Sequence, residues 1–303
     1  MFSVLGILSV GAVYVPLDDA HPDDRIQFIL EDSASRVLIV SDGTVERAEG
    51  LVDENVVVLN ISDVLREDIG TLSRLPVVYG DVACLLYTSG TTGLPKGVRV
   101  TRKSILNLSA YYSDVYGLGG SDVYALFATI GFDAASQAIC QSFYAGACLS
   151  VVPEDIRLNV HELNDYFVKQ GVTHTMMTTQ VGKLFMENVD ETTLKVLVVG
   201  GEKLGEFANP GDYDLIDGFG PTETFAFISS IHNKDKLDPS SIGFLNYNTK
   251  AYVLDEEFRQ VPVGAVGELC LSGYQLAKGY LNRPEENEKA FIENPFDDDE
   301  GYG

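Results

Sequence analysis

The stretch LLYTSGTTGLPKGV at residues 85–98 constrains the fold more than any other. It begins as an apolar strand and runs into Thr88, Ser89, Gly90, Thr91, Thr92 and Gly93, with Lys96 close behind. Gly90, Gly93 and Gly97 let the backbone approach an oxyanion closely, while hydroxyl and ammonium side chains point donors at it. After Lys96 the chain reads GVRVT, alternating and β-branched, so a second strand follows the loop. The pattern is that of a loop that cradles phosphate.

A Walker loop is excluded. G-x-x-x-x-G-K-[ST] needs Gly immediately before Lys and opens a helix, whereas Pro95 holds that place here and a strand follows. For this segment alone, the remaining alternative is a Gly/Thr hairpin without a ligand.

Charge narrows the partners. In 303 residues there are 21 basic and 45 acidic side chains, a formal charge of −24. Such a surface repels nucleic acid and anionic lipid, so neither a nucleic-acid nor a membrane partner is expected. The same field opposes a polyphosphate, so binding one depends on local donors and a cation. Cys84, Cys140, Cys148 and Cys270 lie on apolar segments without CxxC spacing and read as reduced core residues of a cytoplasmic protein. The four histidines are scattered, which argues against a zinc site. The apolar start, MFSVLGILSVGAVYVPL, lacks the basic flank of a signal peptide and reads as a buried helix ending near Gly11, then a short strand.

The fold class expected is α/β: two α/β lobes with mostly parallel sheets, followed by a small antiparallel, barrel-like β subdomain. A helix is signalled from Pro22, with Asp23 and Asp24 favourable to its dipole and Ile26, Ile29 and Leu30 along one face. RVLIVS (36–41) and VVVLN (56–60) read as buried strands of a first lobe, residues 1–100. Strands at 123–129, 147–152, 173–178 and 195–201 alternate with helices over 103–112, 133–144 and 161–169 in a second lobe, residues 101–230. From 231 to 303 the texture changes to short alternating strands, KAYVLDEE and GELCLSG, with turns between them.

Two further segments carry chemistry. DGFGPTET (217–224) offers glycines, an aromatic face in Phe219 that can stack a purine, and Glu223, whose hard carboxylate oxygens suit Mg²⁺. By itself it could equally be a Gly-Pro turn. Gly200, Gly201 and Glu202 end the strand KVLVVGG, where ligands bind in open α/β sheets.

The ordered motifs YTSGTTGLPKGV, FDAAS, GGE, GFGPTE and GELCLSGYQLAKGYLNRPEENEKAF, with GAVYVPLDDAHPDDRIQFIL upstream, resemble the adenylate-forming enzymes. The likeness is to the large N-terminal domain, and most closely to the amino-acid adenylation domains of nonribosomal peptide synthetases. It implies ATP-dependent attack of an amino-acid carboxylate on the α-phosphorus, giving aminoacyl-AMP and pyrophosphate. It further implies Mg²⁺, a phosphopantetheine-bearing carrier domain and a condensation domain as partners. An anionic nucleophile must approach a polyanion, so neutralisation and positioning supply most of the catalysis.

By the same resemblance, Thr88, Ser89, Thr91, Thr92 and Lys96, on a loop with Gly90 and Gly93, clamp the β and γ phosphates. Thr222 donates to the α-phosphate and Glu223 holds Mg²⁺. Phe219 stacks adenine, Asp217 accepts from its amino group, and Gly201, Glu202, Gly218 and Gly220 complete the nucleotide site. Asp133 grips the α-ammonium, which distinguishes amino-acid activation from acyl or aryl activation; its alternative reading is a helix N-cap. Asp133, Ala134, Gln137, Met176, Val198, Gly200, Gly218, Ala226 and Phe227 match the specificity positions. Among these only Asp133 is charged, which fits an apolar side chain such as that of valine or isoleucine, although Gln137 could pair with a substrate amide.

A complete adenylation domain continues into an Asp-bearing motif, a hinge and a mobile domain with a catalytic lysine, and residues 1–303 hold none of these. The expectation is therefore a piece truncated at both ends that binds nucleotide weakly and adenylates poorly on its own. The competing readings are an acyl- or aryl-CoA ligase of the same superfamily and an inactive nucleotide-binding module.

Overall fold

Strands and helices alternate along most of the chain, as the β-branched runs separated by amphipathic segments predict. The structure, a computed structural model, describes residues 2–66, 77–78, 80–89, 94–205, 211–225, 228–232 and 241–296. Two units divide the chain: Met1–Arg102 with Lys278–Ile292, and Lys103–Ala277 with Glu293–Gly303.

In the first unit the elements are α1 (Phe2–Ser9), α2 (Asp23–Asp32), β1 (Val37–Val40), α3 (Val45–Leu51), β2 (Val57–Asn60), α4 (Ile61–Val64), β3 (Val82–Thr88) and β4 (Lys96–Thr101). β1 and β2 pair in parallel, and β3 and β4 form an antiparallel hairpin closed by Thr88 opposite Lys96. The strand expected after Lys96 is therefore present, and the phosphate-loop segment is the connection of that hairpin. Helix α2 turns Ile26, Ile29 and Leu30 inward, and Ile29 packs with Leu85 and Tyr87 of β3. The expected buried helix at the start differs: in α1 only Val4 is fully buried, and Phe2 is 72% exposed. A helix apolar all round has no preferred face, so composition alone could not say how much of it would be covered.

The second unit follows with α5 (Arg102–Tyr116), β5 (Val123–Leu126), α6 (Asp133–Ala145), β6 (Cys148–Val151), α7 (Val160–Gln170), β7 (His174–Thr178), α8 (Thr179–Asn188), β8 (Val196–Gly200) and β9 (Asp214–Phe219). It closes with β10 (Ser229–His232), β11 (Phe244–Leu245), β12 (Thr249–Leu254) and β13 (Glu268–Gly273); α9 (Pro284–Ala290) belongs to the first unit. Its main sheet runs β11-β10-β9-β8-β7-β5-β6. The pairs β5–β6, β5–β7, β7–β8 and β8–β9 are parallel, whereas β9–β10 and β10–β11 are antiparallel. The antiparallel unit expected near the end is, among the described residues, the two-stranded pair β12–β13.

One face of this sheet is covered by Leu163 and Phe167 of α7 and Phe185 of α8, which are fully buried with Met177, Leu197 and Val199. Each such side chain contributes about 1.5–3 kcal/mol on burial. Strand alternation sends Met176, Val198 and Ile216, in register with one another, to the opposite face. Of the four cysteines, expected as core residues, only Cys84 is fully buried and Cys148 is exposed. No described helix is long and apolar enough to cross a membrane.

Candidate active site

In the second unit a cavity of about 590 Å³ opens at the carboxyl ends of β7, β8 and β9. Parallel strands converge there without side chains from a following turn to fill the space. Register places Thr178 beside Gly200 and Gly200 beside Gly218, so the floor is nearly free of side chains. A Cβ at Gly200 would lie 3.0 Å from the Gly218 carbonyl oxygen and 3.5 Å from the Met176 Cε. Gly201 follows with φ +95°, a conformation L side chains rarely adopt. Any larger side chain at Gly200 would therefore crowd the floor of the cavity, at a cost of roughly 1–3 kcal/mol.

Asp133 also borders this cavity. It is the first residue of α6, and the N-cap position belongs to Phe132, which makes no capping hydrogen bond. The Asp133 carboxylate takes Ala134 N–H on Oδ1 at 2.7 Å and the Thr222 hydroxyl on Oδ2 at 2.6 Å. Burial raises its pKa above the ordinary carboxylate value and the nearby Glu223 charge adds to this, while the two hydrogen bonds pull it down. A cation at Asp133 would relieve both sources of that strain.

Thr222 and Glu223 sit on a 3₁₀ turn, residues 222–224, just after β9. The Glu223 carboxylate is a hard oxygen donor of the kind that could hold Mg²⁺ together with substrate phosphates. Among the described residues no group of three His, Cys, Asp or Glu could hold a metal ion by protein side chains alone. Phe219 at the end of β9 presents a ring 42% exposed. Asp217 is half-buried, which raises its pKa, and it accepts the Leu204 backbone N–H. Glu202 is held at both ends: its carbonyl accepts the Thr179 hydroxyl at 2.8 Å and its carboxylate the Gln180 amide at 2.8 Å.

The first unit holds the other expected residues. Thr88 ends β3, Ser89 follows it exposed, and Lys96 opens β4 with its ammonium 4.3 Å from the Tyr280 ring centroid. Arg283 braces the hairpin, donating to the Pro95 carbonyl at 3.4 Å and pairing with Asp32 at 3.3 Å. Tyr87 donates to the same Asp32 at 2.8 Å, and burial pushes its phenol up. Gly90, Thr91, Thr92 and Gly93, and the pocket positions Ala226 and Phe227, lie outside the described residues.

Of the expected specificity positions, Asp133, Ala134, Met176, Gly200 and Gly218 line the cavity. Two positions differ. Val198 is 1% exposed within the sheet, and Gln137 is 2% exposed with its amide donating to the Phe225 carbonyl at 3.0 Å, so neither is among the lining residues. The wall instead includes Thr129, Glu154 and Arg157, so Asp133 is not its only charged side chain. Arg157 is largely buried, and its pairing with Glu154 is long, at 3.8 Å. Thr129 could have been found at the carboxyl end of the β5 strand, the rule that drew attention to Gly200; Arg157 belongs to no motif that would have marked it.

With this geometry in hand, a family model described as AMP-binding enzyme matches residues 1–281. The chain belongs to the AMP-binding enzyme family. Over 299 residues it is 38% identical to surfactin synthase subunit 1 of Bacillus subtilis, covering 97% of this chain but only 8% of that synthase. Among solved structures it is similar to the N-terminal subdomain of Klebsiella oxytoca NpsA in complex with 3-hydroxybenzoyl-AMSN, with 26% identity and a TM-score of 0.80 over 97% of this chain and 76% of that one. FmoA3 in its α-methyl-L-serine-AMP-bound form aligns with a TM-score of 0.86 at 25% identity, covering 97% of this chain and 34% of that one. As an AMP-binding family member the chain fits the mixed α/β architecture expected from its motifs.

Proposed function

We propose that this AMP-binding chain activates an amino acid, with ATP and Mg²⁺, to aminoacyl-AMP and pyrophosphate for loading onto a phosphopantetheine carrier domain in nonribosomal peptide synthesis. The observation that carries the reading is Asp133, a carboxylate kept at a raised pKa on the wall of an otherwise mostly apolar cavity. An ammonium is the group whose entry offsets that desolvation. The amino-acid carboxylate attacks the α-phosphorus, the bond to the bridging oxygen breaks, and pyrophosphate leaves with the electron pair.

In this reading Asp133 orients the nucleophile, while Thr222 donates to the α-phosphate and Phe219 stacks the adenine. Asp217 takes the adenine amino group, and Gly201, Glu202 and Gly220 border the nucleotide. Thr88, Ser89, Thr91, Thr92 and Lys96 clamp the outer phosphates. Mg²⁺, held through Glu223, would neutralise phosphate charge. Similarity to a segment of a peptide synthase supports carrier and condensation domains as partners. Cysteines on apolar segments without CxxC spacing fit a reducing, cytoplasmic compartment, where ATP is at hand.

Met176 and Val181 on the cavity wall support a branched aliphatic side chain, valine or isoleucine. A second reading, an acceptor-ended side chain such as that of glutamate or glutamine, is favoured by Arg157. Titrating the chain with non-hydrolysable aminoacyl-sulfamoyl-adenosines separates these. The valyl or isoleucyl compound is expected to bind at least about tenfold tighter than the others, a margin of roughly 1.4 kcal/mol. Glutamyl or glutaminyl first would select the second reading, and an aroyl compound first would overturn amino-acid activation in favour of an aryl ligase.

A further inference from the structure

A hydroxyl has one hydrogen to give, and that of Thr222 goes to a carboxylate. Its neighbour in the same turn behaves in the ordinary local way: Thr224 donates to the Pro221 carbonyl at 2.9 Å. Thr222 instead reaches 89 residues back along the chain, to Asp133 Oδ2 at 2.6 Å. That length is characteristic of a charge-assisted O–H···O⁻ bond. The backbone beneath it is pinned, since Thr222 O accepts Phe225 N–H at 2.9 Å and Glu223 O accepts Ala277 N–H at 2.8 Å. Thr222 itself is half-buried rather than sealed in. Turning its proton to another acceptor needs only rotation about the Cβ–Oγ bond.

In the proposed function that proton is wanted in two places, because Asp133 receives the ammonium of the amino acid while Thr222 donates to the α-phosphate. Nucleotide arriving first must take the proton from Asp133, whose carboxylate then keeps the Ala134 N–H at 2.7 Å but has lost a donor. Burial already disfavours the charge of this group, so the loss is costly there. An ammonium arriving first brings its own N–H donors to the carboxylate and releases the hydroxyl. The carboxylate stays satisfied, and a donor is freed for the nucleotide.

We infer that the Thr222 hydroxyl couples the two substrates: it stays with Asp133 until an ammonium occupies that carboxylate and then turns to the α-phosphate, so each substrate strengthens binding of the other. The inference rests on the roles proposed above for Asp133 and Thr222. Coupling of this kind is reciprocal: the factor by which the amine tightens nucleotide binding is also the factor by which nucleotide tightens amine binding.

The test is calorimetric titration of MgATP into the chain, with and without a saturating amino alcohol, for wild type, Thr222→Val, Thr222→Ala and Thr222→Ser. The probe is L-valinol, or the amino alcohol matching whichever aminoacyl-sulfamoyl-adenosine binds tightest. It keeps the ammonium and lacks the carboxylate, so no adenylate forms during the titration. In wild type the amine is expected to tighten MgATP binding by more than about tenfold. In Thr222→Val that gain is expected to shrink by about tenfold, leaving the direct attraction between ammonium and phosphate, and Thr222→Ser restores most of it. An equal gain in wild type and Thr222→Val, or no recovery in Thr222→Ser, would overturn the coupling while leaving the proposed function standing. If Thr222→Val does not fold, Thr222→Ala decides in its place. Wild type that binds no MgATP, or none of the amino alcohols, would instead sink the proposed function and the coupling with it.

Discussion

Asp133→Asn is expected to abolish amino-acid binding, weakening it by about a hundredfold or more, while MgATP binding survives. An ammonium that enters a buried site without its counter-charge forfeits roughly 3–5 kcal/mol. Asparagine keeps the shape and can still accept the Thr222 hydroxyl, so lost affinity would report lost charge. The variant also carries a stability signature. The folded-state pKa of Asp133 lies above the unfolded value of 3.8, so the native state binds more protons between those two values. Wild-type stability therefore falls as pH rises through that window and is flat above it. Asparagine removes this slope, and at neutral pH the variant should melt no lower than wild type. In the same window the amino-acid affinity of the wild type should fall as pH drops, because only the carboxylate holds an ammonium. Calorimetry across pH, with melting curves alongside, checks both signs.

Lys96→Met is expected to raise the dissociation constant for ATP by about tenfold to a hundredfold, the range given by losing roughly 1.5–3 kcal/mol of charged hydrogen bonding. The chain carries a net charge of −24, so local cations must overcome a repulsive field. The Tyr280 ring beneath the ammonium restrains Lys96 without neutralising it, leaving its donors for an anion. Affinity of the wild type should weaken with added salt, and the variant should show a shallower dependence. Equal affinities and equal salt slopes would remove Lys96 from the nucleotide site.

Much of this was legible in the residues. The β-branched runs at 37–40, 57–60 and 196–200 are strands because such side chains pack well on a pleated surface, and the alternation after Lys96 marked a strand rather than a Walker helix. Asp133 needed more than its local context: GFDAAS is equally a capping signal, and only the structure shows Phe132 at the cap with the carboxylate turned to Thr222. The hydrogen bond of Gln137 could not be read from its neighbours in sequence, because the carbonyl it donates to, that of Phe225, lies 88 residues further along the chain. Positions 133 and 137 stand one turn apart on α6, and which neighbour that face meets is decided by tertiary packing. Arg157 escaped notice for a related reason: a lone arginine between helices carries no periodicity, and its place on a cavity wall follows from the fold around it.

The sheet of the second unit changes direction at β9, which runs alongside β8 on one edge and against β10 on the other. The polypeptide must fold back immediately after Phe219, and Ile228 N–H already returns to the Phe219 carbonyl at 2.9 Å. The hairpin reversal and the segment bearing Thr222 and Glu223 are thus one piece of backbone. An insertion there would displace Thr222 and Glu223 from the end of β9 even with the β9–β10 pairing intact, so the length of that reversal and the place of those two side chains are set together.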